Sequence, residues 1–187
     1  YAEFGGKGIG TAAGAAGVGK PEATELQAVT FTVSGTDIVI ETGNILMLAV
    51  APTSLDDITA TLTATDSSGN ATTQPITVKV TDTTAPVFTS SSTYYAEFGG
   101  KGIGTAAGAA GVGKPEATEL QAVTFAVIDA AWSDGSQHSD SEIKIETGNI
   151  LVLANASNQP GVINATLSAT DSSGNVATQD ITVNVTD

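Results

Sequence analysis

Apolar and polar residues alternate one for one over much of this chain. In Ile58-Thr-Ala-Thr-Leu62-Thr-Ala64 the threonines face one way, while Ile58, Ala60, Leu62 and Ala64 face the other. Ile76, Val78 and Val80 alternate in the same way with Thr77, Lys79 and Thr81. Successive side chains of a strand point to opposite faces, so a period of two predicts strands with one buried face. Matching signals predict strands over 28–33, 37–41 and 45–50, and again over 122–127, 142–146 and 150–154. Turn residues separate them. Thr42-Gly43-Asn44 predicts a tight hairpin and Ser67-Ser68-Gly69-Asn70 a longer one, because Gly and Asn tolerate left-handed backbone and Ser and Asn side chains bond their own backbone. Short strands at regular spacing, punctuated this way, predict an all-β chain of immunoglobulin-like antiparallel β-sandwiches.

The pattern is written twice. Residues 1–31 recur unchanged at 95–125, an offset of 94. Beyond that block the copies stay in step but drift: IETGNIL at 40–46 returns at 145–151, ATDSSGN at 64–70 returns at 169–175, and VKVTD becomes VNVTD. About 90 residues can bury a core of their own, so the repeat is a domain rather than one turn of a solenoid. The expected organisation is a first sandwich over 1–82, a linker over 83–94 and a second sandwich over 95–187. The second copy carries eleven extra residues between Phe125 and Glu146, an insertion placed around 129–141. With no Met at Tyr1 and an end at the counterpart of Asp82, the sequence reads as a piece of a longer tandem array.

One stretch departs from the alternation. Residues 4–20 are so rich in Gly and Ala that they offer little to a core, and Gly weakens a strand interior. Such a block, repeated at 98–114, is expected to contact other domains or chains through close backbone approach or strand pairing. Pro21-Glu22, with Glu25 following, predicts a short helical turn with Pro at its first position and acids in its first turn.

Composition narrows the function classes. Twenty acidic residues stand against six basic ones, all lysine, for a net charge of -14. That balance repels nucleic acid and anionic membranes, and no arginine is present to contact phosphate. Cysteine is absent, so neither disulfides nor thiolate metal sites hold the fold. No apolar run approaches the ~20 residues of a membrane span. Abundant Thr, Ser, Gly, Ala and Val with few aromatics fits secreted repeat modules, which points to an extracellular or cell-surface location.

Catalytic chemistry finds little footing. Gly14-Ala-Ala-Gly-Val-Gly19-Lys20-Pro21 nearly matches a phosphate-binding loop, but Pro21 stands where the hydroxyl for Mg²⁺ belongs and no strand-to-helix context surrounds it. The single histidine, His138, has no counterpart in the first copy, so no base pairs with a nucleophile in both domains. An enzyme is not expected.

The sequence Ala64-Thr-Asp66 followed by Gly69, the alternating Ile76-Thr-Val-Lys-Val-Thr-Asp82, and then Ala85-Pro86-Val87-Phe88 resembles the cadherin repeat and the related immunoglobulin-like repeats of bacterial surface adhesins. Ala2-Glu3-Phe4, Ala96-Glu97-Phe98 and Ile40-Glu-Thr-Gly43-Asn-Ile45 extend the likeness over most of each repeat outside the Gly/Ala block. The resemblance implies tandem adhesive domains with Ca²⁺ held by acids at the domain junction. Calcium takes six to eight oxygen ligands. Glu3, Asp57 and Asp82 of the first domain, with Asp171 of the second, are the positions the resemblance nominates. The pattern departs from the family at Thr83 and Thr84, where further Asn and Asp ligands stand in cadherins, and at 160–162, where Pro-Gly-Val replaces the acids of the first copy. Read without the family, the same aspartates are turn formers and solubilising charge.

The insertion holds the chain's only Trp and only His. Trp132, Asp134 and His138 nominate a loop that binds carbohydrate, or a metal through Asp134, His138 and Asp140. The plainer alternative folds Trp132 onto the sandwich edge. The sequons at Asn70, Asn155, Asn164 and Asn184 matter only where the source glycosylates. Three readings follow: a structural and adhesive module of a large surface or filament protein whose partners are neighbouring repeats or copies of itself, a carbohydrate-binding module, or a virion fibre or decoration domain.

Overall fold

A computed structural model of the chain describes residues 1–11, 19–24, 27–108, 113–134, 143–157 and 159–187. Residues 14–18 of the glycine run, Glu25, His138, Asp140 and Glu142 lie outside these. The chain divides into two compact units, Tyr1–Thr83 and Thr84–Asp187.

The first unit holds β1 (Ala2–Glu3), β2 (Val29–Val33), β3 (Ile38–Glu41), β4 (Ile45–Leu48), β5 (Ile58–Asp66), β6 (Ala71–Val78) and β7 (Val80–Thr81). The second holds β8 (Val87–Phe88), β9 (Thr93–Glu97), β10 (Ile103–Gly104), β11 (Ala117–Thr118), β12 (Val123–Trp132), β13 (Ile143–Glu146), β14 (Ile150–Leu153), β15 (Gly161–Asp171) and β16 (Val176–Thr186). No helix occurs among the described residues, and the helical turn expected after Pro21 falls partly outside them, at residues 25–26. Residues 21–24 are irregular there, and the counterparts of Ala23-Thr24 form β11.

In the first unit β2-β5-β6 make an antiparallel sheet, β3-β4 a hairpin, and β1 pairs with β7. In the second, β10-β9-β16-β15-β12 form one five-stranded sheet, accompanied by the pairs β13-β14 and β8-β11. The pairing departs from a purely antiparallel sandwich at one place in each unit: an early strand runs parallel to the last, β1 with β7 and β9 with β16. The β3–β4 and β13–β14 hairpins turn through Asn44 and Asn149, both at φ 60, a conformation asparagine tolerates.

Each core follows the alternation read from the sequence. Ile38, Leu48, Leu62 and Val78 are buried in the first unit, with Ile9 added from the Gly/Ala block. Their counterparts Ile143, Leu153, Leu167, Val183 and Ile103 are buried in the second. Ile9 and Ile103 of the block thus serve the core of their own unit, while residues 12–18 and 109–112 lie outside the described ones. Gly19 donates to Ile9 O and accepts from Leu46 N; Gly113 repeats this with Ile103 and Leu151. A Cβ at Gly113 would stand 2.8 Å from the Ile103 carbonyl oxygen, so only glycine lets the backbones approach this closely.

Two boundaries also move. Part of the stretch expected as a linker is folded: Val87 and Phe88 pair with Thr118 and Ala117 inside the second unit, and β9 begins at Thr93. The insertion does not make only a loop. It carries β12 to Trp132, past a bulge at Ile128, in register with β15 as far as Ile163.

Candidate functional site

Strand register collects three of the nominated acids at one end of the first unit. Ile58 lies opposite Val78, which places Asp57 beside Lys79, and Glu3 lies opposite Thr81, one residue before Asp82. This is the end from which the chain leaves the unit. The Glu3 carboxylate is engaged there: Oε1 accepts from Thr83 N at 2.6 Å and Oε2 from Thr83 Oγ1 at 3.1 Å. Asp57 Oδ2 lies 3.7 Å from Lys79 Nζ, with both side chains exposed. A pair of that kind contributes little to stability.

Asp171 belongs to different chemistry. It closes the β15–β16 hairpin of the second unit, where Oδ1 accepts from Ser173 N and Asn175 N at 2.9 Å each and Oδ2 accepts from Asn175 Nδ2 at 2.9 Å. Asp66 does the same in the first unit with Ser68 N, Asn70 N and Asn70 Nδ2, at 2.8 to 2.9 Å. The motif ATDSSGN is thus a folded turn, written twice because two hairpins need it. Burial raises the Asp171 carboxyl, but hydrogen bonds from Asn175, Ser173 and Gly174 outweigh it and leave the group below the ordinary carboxylate range. Asp66 is lowered as well, first by the Asn70 side chain. Among the described residues no three Asp, Glu or His side chains gather as a metal-holding group.

The insertion places its aromatic residue inward. Trp132 is 7% exposed and joins the second core, over Gly161, where a Cβ would stand 2.9 Å from the indole ring. That burial removes Trp132 as a platform for stacking a sugar, and it is the folded-down alternative that the structure adopts. Asp134 sits in the turn that follows β12, and His138 falls outside the described residues.

Sequence reasoning missed a cleft of about 300 Å³ in the first unit, lined by Ala23, Thr24, Phe31, Ala64 and Gln74 among others. The signal that marks it is the comparison of copies: in the second, Ala85-Pro86-Val87-Phe88 comes before the identical block.

No protein-family model and no curated protein sequence matches the chain. Its fold is similar to solved cadherin ectodomains. Human protocadherin-24 EC1-2 aligns over 89% of this chain and 86% of that one, at 14% identity and a TM-score of 0.47. Protocadherin gamma B2 domains 1–5 aligns over 85% of this chain and 33% of that one, at 17% identity and a TM-score of 0.47. The human desmocollin-1 ectodomain covers all of this chain, which spans 39% of it, at 14% identity and a TM-score of 0.42. These likenesses concern the fold. No helix among the described residues is long and apolar enough to cross a membrane.

Proposed function

We propose that the chain is a non-enzymatic structural and adhesive module of a large extracellular surface or filament protein, made to stand in a row of like units. The observation that carries this reading is the parallel pairing of the closing strand with an early strand in each unit, β7 with β1 and β16 with β9. Parallel strands run the same way, so the chain enters each sandwich at one end and leaves at the other. Tension along the chain then loads the hydrogen bonds between those strands in shear, all together. This pairing spans five residue pairs in the second unit and two in the first. Stretching single molecules tests the reading. Two unfolding events are expected, yielding extended chains of at most about 300 Å and about 370 Å, with the longer one at the higher force. Gradual extension without discrete events would overturn it.

Calcium belongs to this reading at the exit end of the first unit, which Glu3, Asp57 and Asp82 share. Calcium there would compete with Thr83 for Glu3 and with Lys79 for Asp57. Neighbouring repeats or further copies of the chain are the partners a serial module meets.

A further inference from the structure

The two units contain the same 31 residues and bury them differently. Pro115 is fully buried, while its counterpart Pro21 is only half-buried. Ala117 is half-buried and Ala23 exposed. The difference continues on the sheet beneath: Ala169, Ile181 and Asp171 are buried, whereas Ala64, Ile76 and Asp66 are not.

What covers the second unit is the segment 85–92. Its backbone pairs Phe88 with Ala117 and Val87 with Thr118, and Thr89 N donates to Glu116 O at 2.9 Å. Pro86 is buried, and the Phe88 ring lies 6.0 Å from that of Phe125, tilted at 54°. Further along, Ser90 O accepts from Gln179 Nε2 and Ser92 O from Thr182 N. The positions equivalent to Ala117, Thr118, Phe125, Ala169 and Gln179 are Ala23, Thr24, Phe31, Ala64 and Gln74. These are the residues that line the cleft of the first unit. The cleft is the same groove, seen without the segment that fills it in the second unit.

We propose that this groove is a strand acceptor, and that its occupant is an extended segment of the Ala-Pro-Val-Phe kind, the sequence that fills the same groove in the second unit. The segment adds antiparallel to Ala23-Thr24, as β8 adds to β11, and lays an aromatic ring on Phe31. Main-chain hydrogen bonds give it affinity, and the proline and phenylalanine give it register. The inference rests on the internal comparison of two units and does not depend on adhesion or on calcium.

The test extends the full chain at Tyr1 with a copy of residues 83–94 and follows hydrogen exchange and melting of each unit. Amides at 23–24 and along β5 and β6 should exchange more slowly, and the first unit's transition should rise on the order of 10 °C. The same extension carrying the equivalent of Phe88→Ala should lose most of that gain. A synthetic peptide of residues 84–94, added to the unextended chain, should protect the same amides saturably. Unchanged exchange and melting in both the extended chain and the peptide titration would overturn the proposal. So would dimerisation of the unextended chain that Phe88→Ala abolishes, since a second copy's own segment would then occupy the groove.

Discussion

The internal repeat allows one substitution to be measured in two environments. Leu62 and Leu167 occupy the same position of the same motif, but Leu167 is fully buried whereas Leu62 is 8% exposed and near the cleft wall. Truncating a buried leucine to alanine removes its transfer free energy and leaves a cavity, together about 3–4 kcal/mol where the surroundings are rigid. Leu167→Ala should cost that much, which for a unit of this size lowers its melting temperature by roughly 12–30 °C. Leu62→Ala should cost about 2 kcal/mol, because solvent already reaches the neighbouring space. Trp132 separates the two readouts: as the only tryptophan, buried in the second core, it reports that unit's unfolding alone. Thermal denaturation with fluorescence excited at the indole band, alongside circular dichroism for the whole chain, measures both. Equal losses at the two positions would refute the claim that the copies differ in coverage. A shift of the tryptophan transition by Leu62→Ala would refute the independence of the two cores.

Other consequences follow from named contacts. Gly113→Ala should destabilise the second unit by about 1–3 kcal/mol, since the Ile103 carbonyl must move to admit a methyl group, and chemical denaturation followed by Trp132 measures it. Asp171 titrates below its unfolded value, so the stability it contributes is present above about pH 4 and is lost as pH falls through its lower folded value. Asp171→Asn should therefore lower the second unit's melting temperature at neutral pH, and the gap from the parent should close as the solution is acidified; a gap that persists in acid would show that the turn works without the charge. Millimolar calcium should raise the first unit's melting temperature relative to chelator if Glu3, Asp57 and Asp82 bind it, and Glu3→Gln should remove the difference; superimposable melts would end the calcium reading. A chain of residues 84–187 should melt like the second unit of the parent, whereas one starting at Tyr95 loses Phe88 and the fully buried Tyr94 and should melt roughly 15–30 °C lower.

Most strands were legible because one face of each is buried and the period of two survives in the sequence. The ends were less so. The strand expected over 45–50 stops at Leu48, since Ala49 and Val50 bend away and Val50 is 73% exposed. The strand expected to end at Val127 runs five residues further. Ile128 is pushed out by the bulge, so the alternation breaks there and resumes out of phase. The described part of the Gly/Ala block was hard to read because composition counts side chains, whereas much of its contribution is backbone. Its hydrogen bonds run from Ile9 and Ile103 through Gly19 and Gly113 to the hairpin that follows, and one isoleucine per copy is its payload for the core.

The acids show a different limit. Aspartate in Ala-Thr-Asp-Ser-Ser-Gly-Asn fits a metal ligand and a turn former equally well on paper. Ser173 N and Asn175 N donate to Asp171 Oδ1 and Asn175 Nδ2 to Oδ2, which shows the carboxylate serving as a turn former. The resemblance that nominated Asp171 concerned residue identity, and identity does not fix what a carboxylate faces. Glu3, Asp57 and Asp82 differ in this respect, because strand pairing alone puts them at one end of the first unit, whatever they bind.

The identical block does not fix where a repeat begins. Tyr1 to Phe31 matches Tyr95 to Phe125 residue for residue, and because Tyr1 is the first residue of the sequence, that match draws no boundary. Strand pairing draws one at Thr84, because β8 and the first residues of β9 complete the sandwich that the block opens. Burial assigns residues 84–94 to the second unit. Pro86 and Tyr94 are buried, Phe88 packs against Phe125, and Ser92 O accepts from Thr182 N within the last strand. A unit cut at the tyrosine keeps its pattern of strands but exposes the groove that those residues would close. Repetition records how the sequence was copied, while burial records what must be present for a copy to hold together.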